Sequence, residues 1–245
     1  MARATLNGIE IDYTVSGRGR PVILSHGYGA TGRMWDGQRQ TLGNRYRLIT
    51  WDMRGHGQTE SPSNPAQYST EATVADMKAL LGSLGVSRAV VGGLSLGGYM
   101  SLAFYLAHPE MVDALIICDS GPGYRNAEAR NAWNQRANER AGNLEARGLE
   151  ALGRHASARG LAHAARGMLA QQDARVIDGL ASIHVPTLIV VGDQDTPFLA
   201  PCEYMAKKIP GARLEVIAGA GHASNLDQPE AFDRVLVSFL DSLPT

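Results

Sequence analysis

Ser95, His222 and an aspartate close after Gly192 are the residues of this sequence whose types and contexts fit a nucleophile, a base and an acid. Ser95 lies in Gly93-Leu94-Ser95-Leu96-Gly97. An apolar β-branched run, Ala89-Val90-Val91, precedes it, and Met100, Leu102, Phe104 and Leu106 follow at helical spacing. Strand, sharp turn and helix put a serine at the tip of a strained turn. Gly93 and Gly97 leave room where strand and helix nearly collide. The free N–H groups of the helix that starts at Leu96 point back at the serine, which suits a developing oxyanion. An unassisted hydroxyl is a weak nucleophile and needs a base. His222, in Ala218-Gly219-Ala220-Gly221-His222, is of the type that takes the serine proton and later protonates a leaving group. An acid would fix its tautomer, and Asp195 and Asp193 compete for that part. The chemistry these types support is acyl transfer.

The elements that would position them alternate. Asn7-Gly8 supplies the two positive-φ positions of a hairpin turn within Thr5 to Tyr13. Pro21 to Leu24 reads as a strand that enters Ser25-His26-Gly27-Tyr28-Gly29, a glycine-rich loop able to turn backbone N–H groups toward a ligand. Tyr46 to Trp51 is a strand ending in Asp52-Met53-Arg54-Gly55-His56-Gly57. Its Asp52 and His56 are expected to hydrogen-bond their own loop. Thr70 to Leu84 is helical, with Gly85 as its stop. Strands follow at Arg88 to Val91 and Ala114 to Cys118, and His108-Pro109 ends the helix between them. The pattern resumes with a strand at Pro186 to Val191, a helix from Tyr204 to Ile209, a strand from Ala212 to Ile217 and a helix from Pro229 to Leu240. Such alternation predicts a mainly parallel sheet covered on both faces, with ligands beyond the carboxyl ends of its strands. Tyr28, Ser95, Asp195 and His222 each follow a predicted strand.

Between 123 and 182 no strand-like run occurs. Apolar residues recur at helical spacing (Leu149, Leu152; Leu161, Ala164, Ala165, Met168, Leu169), and Gly142, Gly148, Gly153 and Gly160 suggest short helices with breaks. Nine arginines against six acidic residues give this segment a mild basic excess, read as a solvated helix face. It is expected to be a helical insertion at one end of the sheet and not an independent domain.

Composition narrows the classes. A chain of 245 residues with 44% hydrophobic and 19% charged residues describes a globular protein with a sizeable core. A net charge of −1 provides no field for nucleic acid or anionic membrane. No run approaches the ~18 apolar residues of a membrane span. A direct start into a polar hairpin pattern leads to the expectation of a cytoplasmic protein. Cys118 and Cys202 make neither a metal-type spacing nor a disulfide framework. The scattered His155, His163 and His184 suggest no metal site, and no Gly-x-Gly-x-x-Gly follows the first strand, so no cofactor is expected.

Five ordered motifs carry a resemblance over essentially the full length: His26-Gly27-Tyr28-Gly29, Asp52-x-Arg54-Gly55-His56-Gly57, Gly93-x-Ser95-x-Gly97, Gly192-x-x-Asp195 and Gly221-His222. The chain resembles the α/β-hydrolase-fold enzymes, in the chain order serine, acid, histidine. Among them it is most similar to small serine esterases, enol-lactonases and cofactor-free haloperoxidases. Epoxide hydrolases and haloalkane dehalogenases use an aspartate where this chain has Ser95. The resemblance implies an α/β fold with a mostly parallel eight-stranded sheet flanked by helices. It implies a core formed by 1–122 and 183–245, with 123–182 as a short helical cap. It selects Asp195 as the acid, with Asp119, after the preceding core strand, as reserve. It also implies that the backbone N–H groups of Tyr28 and Leu96 form the oxyanion hole.

The implied function is hydrolysis of a small carboxylic ester or lactone through an acyl-enzyme on Ser95, Asp195 and His222. Trp35, Trp133, Met168 and Phe198 are candidates to line its acyl pocket. C–C bond hydrolysis of a dienoic diketone, perhydrolase or haloperoxidase activity on the same triad, and a non-catalytic ligand receptor on the same fold are the alternatives. Turnover of a chromogenic ester separates the receptor from the enzymes.

Overall fold

In a computed structural model of the chain, residues 2–43, 45–148 and 154–244 are described. The chain begins with a hairpin of β1 (Ala2–Leu6) and β2 (Ile9–Ser16), whose turn residues Asn7 and Gly8 have φ of 50° and 78°. It continues through β3 (Arg20–Ser25), α1 (Asp36–Leu42), β4 (Tyr46–Trp51), α2 (Thr70–Ser83), β5 (Ala89–Leu94), α3 (Leu96–Ala107) and β6 (Val112–Cys118). A helical stretch follows, with α4 (Ala127–Arg147), α5 (Ala158–Ala164) running into a π-turn over Ala165–Leu169, and α6 (Arg175–Gly179). The chain then returns to the sheet with β7 (Thr187–Gly192), α7 (Thr196–Lys208), β8 (Arg213–Ile217), α8 (Ser224–Asp227) and α9 (Pro229–Asp241).

The eight strands form one sheet in the order β1-β2-β4-β3-β5-β6-β7-β8. Among the described residues, all neighbours from β4 to β8 are parallel, and the β1–β2 and β2–β4 pairs are antiparallel. The central strands carry the apolar runs Ala89–Val91, Ala114–Cys118 and Leu188–Val191 because both faces are covered there. Alternate residues serve opposite layers. Val91, Leu115, Ile117, Ile189 and Val191 pack with Met77 and Leu80 of α2, Met100 and Phe104 of α3, and Met205 of α7. Val90, Ala114, Ile116, Leu188 and Val190 pack with Leu42 of α1 and with Phe232, Leu236 and Phe239 of α9.

Local chemistry sets the ends. Ser69 Oγ accepts the Ala72 N–H at 3.1 Å to start α2. Gly85, at φ 67°, ends it, with the Val86 and Gly85 amides returning to the Leu81 and Gly82 carbonyls at 2.9 and 3.0 Å. The buried Arg54 pairs with the buried Asp76 of α2 through two 2.7 Å bonds, which fixes the loop after β4. Asp52 accepts the Gly32 N–H at 2.7 Å and the Gln58 N–H at 3.0 Å, so it does hold its own loop.

Two sequence expectations give way here. Gly142 does not break a helix, because α4 runs through it from Ala127 to Arg147. One glycine costs a helix only about 1 kcal/mol against alanine. Here the Asn126 side chain caps the start at 2.9 Å, and Ala137 and Ala141 are buried. Gly160 likewise sits inside α5, while Gly148, at φ 63°, does end α4. Leu149, Leu152 and Gly153 lie outside the described residues. Helix α7 starts at Thr196, well before Tyr204, because Pro197 falls in its first turn, where no intrahelical N–H is required.

Candidate active site

The turn between β5 and α3 is held by contacts that allow no larger side chains. A Cβ on Gly93 would stand 2.6 Å from the Gly97 carbonyl carbon, and one on Gly97 would stand 2.2 Å from the Ser25 carbonyl oxygen. Ser95 consequently adopts φ 54° and ψ −114°, a conformation costing a non-glycine residue about 1–3 kcal/mol. Its N–H donates to the Cys118 carbonyl at 2.9 Å, and its own carbonyl accepts the Ser120 hydroxyl at 2.6 Å. Strand β6 thus braces the strained residue from the side.

His222 reaches Ser95 from the loop after β8, with Nε2 2.9 Å from the serine Oγ. Its Nδ1 lies 2.8 Å from Oδ2 of Asp195, the residue preceding α7. An ionised carboxylate only accepts, so the proton belongs on Nδ1 and leaves Nε2 to accept the Ser95 hydroxyl's hydrogen bond. Asp195 is buried, whereas the His222 side chain is 47% exposed and so has access to solvent. The imidazole stacks on Phe198 of α7 at 4.8 Å and 27°. Asp193 turns away: it is exposed and accepts the Gly219 N–H at 2.8 Å.

The loop after β3 passes directly beside Ser95, since a Cβ on Gly27 would meet the Ser95 Cβ at 3.5 Å. The Ala30 N–H bonds the Gly27 carbonyl at 3.1 Å, and Gly29 at φ 74° completes a tight turn with Tyr28 at its corner. Among the described residues the Tyr28 N–H meets no acceptor. Leu96, the first residue of α3, has no carbonyl of its own helix to bond. Both amides are therefore free for a ligand oxygen.

Helices α4 and α5 stand over this end of the sheet, and polar contacts tie them to the core loops. The Tyr28 hydroxyl donates to the Leu161 carbonyl at 2.8 Å, and burial pushes that phenol up to about 12. His155 accepts the Gly57 N–H on Nδ1 at 2.8 Å, so its proton is on Nε2, which donates to the Gly29 carbonyl at 2.9 Å. Behind it lie His56 and His26, with ring centroids 5.9 Å from His155 to His56 and 4.8 Å from His56 to His26. Both are fully buried, and burial pushes both imidazoles below their ordinary range, His56 well below.

A cavity of about 140 Å³ opens at Ser95 between the sheet and α4. Trp133 and Phe198 line it, together with Tyr99, Tyr124, Arg136 and Gln171. Trp35 and Met168 do not. Trp35 is buried on the opposite face of the sheet beside Phe232, and Met168 is buried in the α2–α3 layer. Both are therefore core residues, packed into the two layers that cover the sheet. Tyr99 was legible as one helical turn beyond Ser95 on the same face. His155 had no such signal, being far in sequence from both loops it joins.

A covered parallel sheet with a serine at its central strand-to-helix turn defines a class of hydrolytic enzymes. The family model of the alpha/beta hydrolase family matches residues 22–235, and the chain belongs to that family. It is 30% identical over 245 residues to 3-oxoadipate enol-lactonase 1 of Acinetobacter baylyi, covering 91% of this chain and 89% of that protein. In three dimensions it is similar to a thermophilic esterase from Thermogutta terrifontis, with a TM-score of 0.85 and 29% identity over 100% of this chain and 99% of the other. It is also similar to the enol-lactonase from Burkholderia xenovorans LB400, with a TM-score of 0.83 and 25% identity over 98% and 100% of the two chains. No group of three or more His, Cys, Asp or Glu able to hold a metal ion occurs among the described residues, and none of their helices is long and apolar enough to cross a membrane.

Proposed function

We propose that this chain is a serine hydrolase that cleaves small carboxylic esters or lactones through an acyl-enzyme. The observation that carries the reading is the hydrogen-bonded line from Ser95 Oγ through His222 to Asp195, at 2.9 and 2.8 Å, on a serine held at positive φ. Ser95 Oγ attacks the acyl carbon as His222 Nε2 takes its proton, and Asp195 stabilises the imidazolium. The Tyr28 and Leu96 amides receive the oxyanion. One such donor is typically worth about 10²–10³ in rate. Breaking the C–O bond expels the alcohol, or opens the lactone, and His222 returns the proton to that oxygen. Water then gives its proton to His222 and its hydroxyl to the acyl carbon, and the acid leaves as Ser95 regains its proton. The segment 123–182 serves as a cap over a small chamber. The enol-lactonase and esterase relatives support the choice of ester and lactone bonds.

The test is turnover of p-nitrophenyl acetate and butyrate together with labelling by a fluorophosphonate. Hydrolysis with one label on Ser95, both lost in Ser95→Ala, is the expected result. No turnover of either ester and no label on Ser95 would overturn the reading in favour of a ligand receptor on this fold.

A further inference from the structure

A second concavity, of about 790 Å³, lies between α2, α3 and α6, and it is far larger than the cavity at Ser95. Its floor is apolar, formed by Val74, Ala103, Leu106, Ala107 and Val176. Its lip is charged: Arg175 bonds Glu71 and Asp173, each at 2.5 Å, and so links α6 to α2 across the opening. Tyr99 lines both spaces. The chain beside it follows the same boundary, since Gln171 lines the catalytic cavity while Gln172 and Asp173 line the groove.

The orientation of Tyr99 fits a wall between them. Its amide donates to the Ser95 carbonyl at 3.0 Å, one turn along α3, which places it on the nucleophile's side of the helix. Burial pushes its hydroxyl up to about 12, and the charges acting on it are Asp173, Arg175 and Glu71, all on the lip of the groove. The residue therefore runs from the catalytic cavity to the groove. The leaving group must depart beside His222, which has its own opening to solvent. The acyl arm is left on the enclosed side, toward Tyr99.

We propose that Tyr99 is a specificity-determining partition that closes the catalytic cavity against a second, apolar acyl-binding groove between α2, α3 and α6. This rests on the serine-hydrolase reading. With the ring in place the acyl arm ends at the cavity wall. With the ring removed a straight acyl chain continues over Ala103 and Leu106.

The experiment compares kcat/KM for p-nitrophenyl decanoate and p-nitrophenyl acetate. Tyr99→Ala should raise the decanoate-to-acetate ratio by at least about tenfold, since each methylene admitted to an apolar pocket is worth a large factor in transition-state binding. Tyr99→Phe should keep the parent ratio, because the ring and not the hydroxyl makes the wall. Filling the groove in the Tyr99→Ala background, by Ala103→Phe or from the opposite wall by Ala75→Phe, should return the ratio toward the parent. An unchanged ratio in Tyr99→Ala, or a raised ratio that both filling variants leave in place, would overturn the proposal. Binding gives a readout independent of turnover. In the Ser95→Ala background, Tyr99→Ala should tighten decanoate binding by about tenfold by calorimetry. If the parent hydrolyses neither ester, the hydrolase reading fails, and an unchanged decanoate affinity would then sink the groove as well.

Discussion

Asp119 and Ser224 are locked to each other: Oδ2 of the aspartate accepts the Ser224 N–H at 3.1 Å and its hydroxyl at 2.5 Å. The other oxygen accepts the Gly192 N–H at 2.9 Å, so the carboxylate is spent on joining the ends of β6 and β7 to the start of α8. It is buried, at φ 46°, and burial pushes its carboxyl above the ordinary range. The reserve acid of the sequence reading is thus a structural bracket, while Asp195 contacts the imidazole. Asp195→Asn should lower kcat by roughly 10⁴, the usual cost of a wrong imidazole tautomer. Asp193→Asn should cost far less. Asp119→Asn should act mainly on stability, by about 1–3 kcal/mol for a disrupted buried network, read as a fall in the urea midpoint. A larger kcat loss in Asp119→Asn than in Asp195→Asn would reverse the assignment.

Replacing Ser95 tests strain and chemistry together. Ser95→Ala removes the proposed nucleophile and keeps a Cβ at φ 54°, whereas Ser95→Gly also releases the backbone. Both should lose ester turnover, leaving only the modest catalysis of binding and the oxyanion hole. Ser95→Gly should be the more stable of the two by about 1 kcal/mol, seen as a higher melting temperature. Equal melting temperatures would mean that the turn stores no such strain.

Stability should fall on mild acidification. His26 and His56 are buried with depressed imidazole pKa values, so the unfolded chain binds protons that the native chain refuses. For a depressed histidine, stability is full above the unfolded pKa of about 6.5 and declines as pH drops below it. Between pH 7.5 and 5.5 each should cost up to about 1.4 kcal/mol. Urea denaturation at the two pH values measures this. The buried carboxyls of Asp12 and Asp119, raised above the ordinary range, work in the opposite direction and offset part of this loss as pH falls through their folded values. Equal unfolding free energies at both values would contradict the neutral burial of these rings.

Much of this architecture was written locally. Two-sided burial gives β5, β6 and β7 continuous apolar runs, and collision geometry forces Gly93 and Gly97 around Ser95. Such signals need no knowledge of the rest of the chain. What escaped the sequence depends on distant partners. An apolar tryptophan reads alike whether it faces a cavity or a core, and only the packing of Phe232 onto Trp35 decides it. Gly142 reads as a break until the neighbouring Ala141 is seen buried. His155 owes its placement to two loops that lie far from it in the chain.

That placement gives His155 a measurable task. It ties the Gly29 carbonyl to the Gly57 amide, and so it steadies the turn whose Tyr28 N–H is proposed to face the oxyanion. His155→Ala should free the turn and lower kcat by about tenfold, a fraction of what losing an oxyanion donor costs outright. Its fluorophosphonate labelling should slow with kcat, since phosphonylation develops the same oxyanion. An unchanged kcat would mean that Tyr28 keeps its position without the histidine.

The acyl preference of the unaltered chain should favour short acids. The cavity at Ser95 holds about 140 Å³, and Trp133, Phe198 and Tyr99 bound it. Each methylene that fits adds about 0.8 kcal/mol of burial, and each that does not either stays wet or clashes. Across p-nitrophenyl esters kcat/KM should therefore rise over the first carbons, peak within roughly two to six, and fall beyond. Trp133 anchors the chamber from above, its indole N–H donating to the Leu169 carbonyl at 2.8 Å. Trp133→Ala should widen the chamber and move the peak toward longer acids without removing activity, because Ser95, His222 and Asp195 all lie outside α4. A profile that climbs steadily to long-chain esters in the unaltered chain, or activation at a triglyceride interface, would instead mark a lipase whose cap opens far wider than the arrangement seen here.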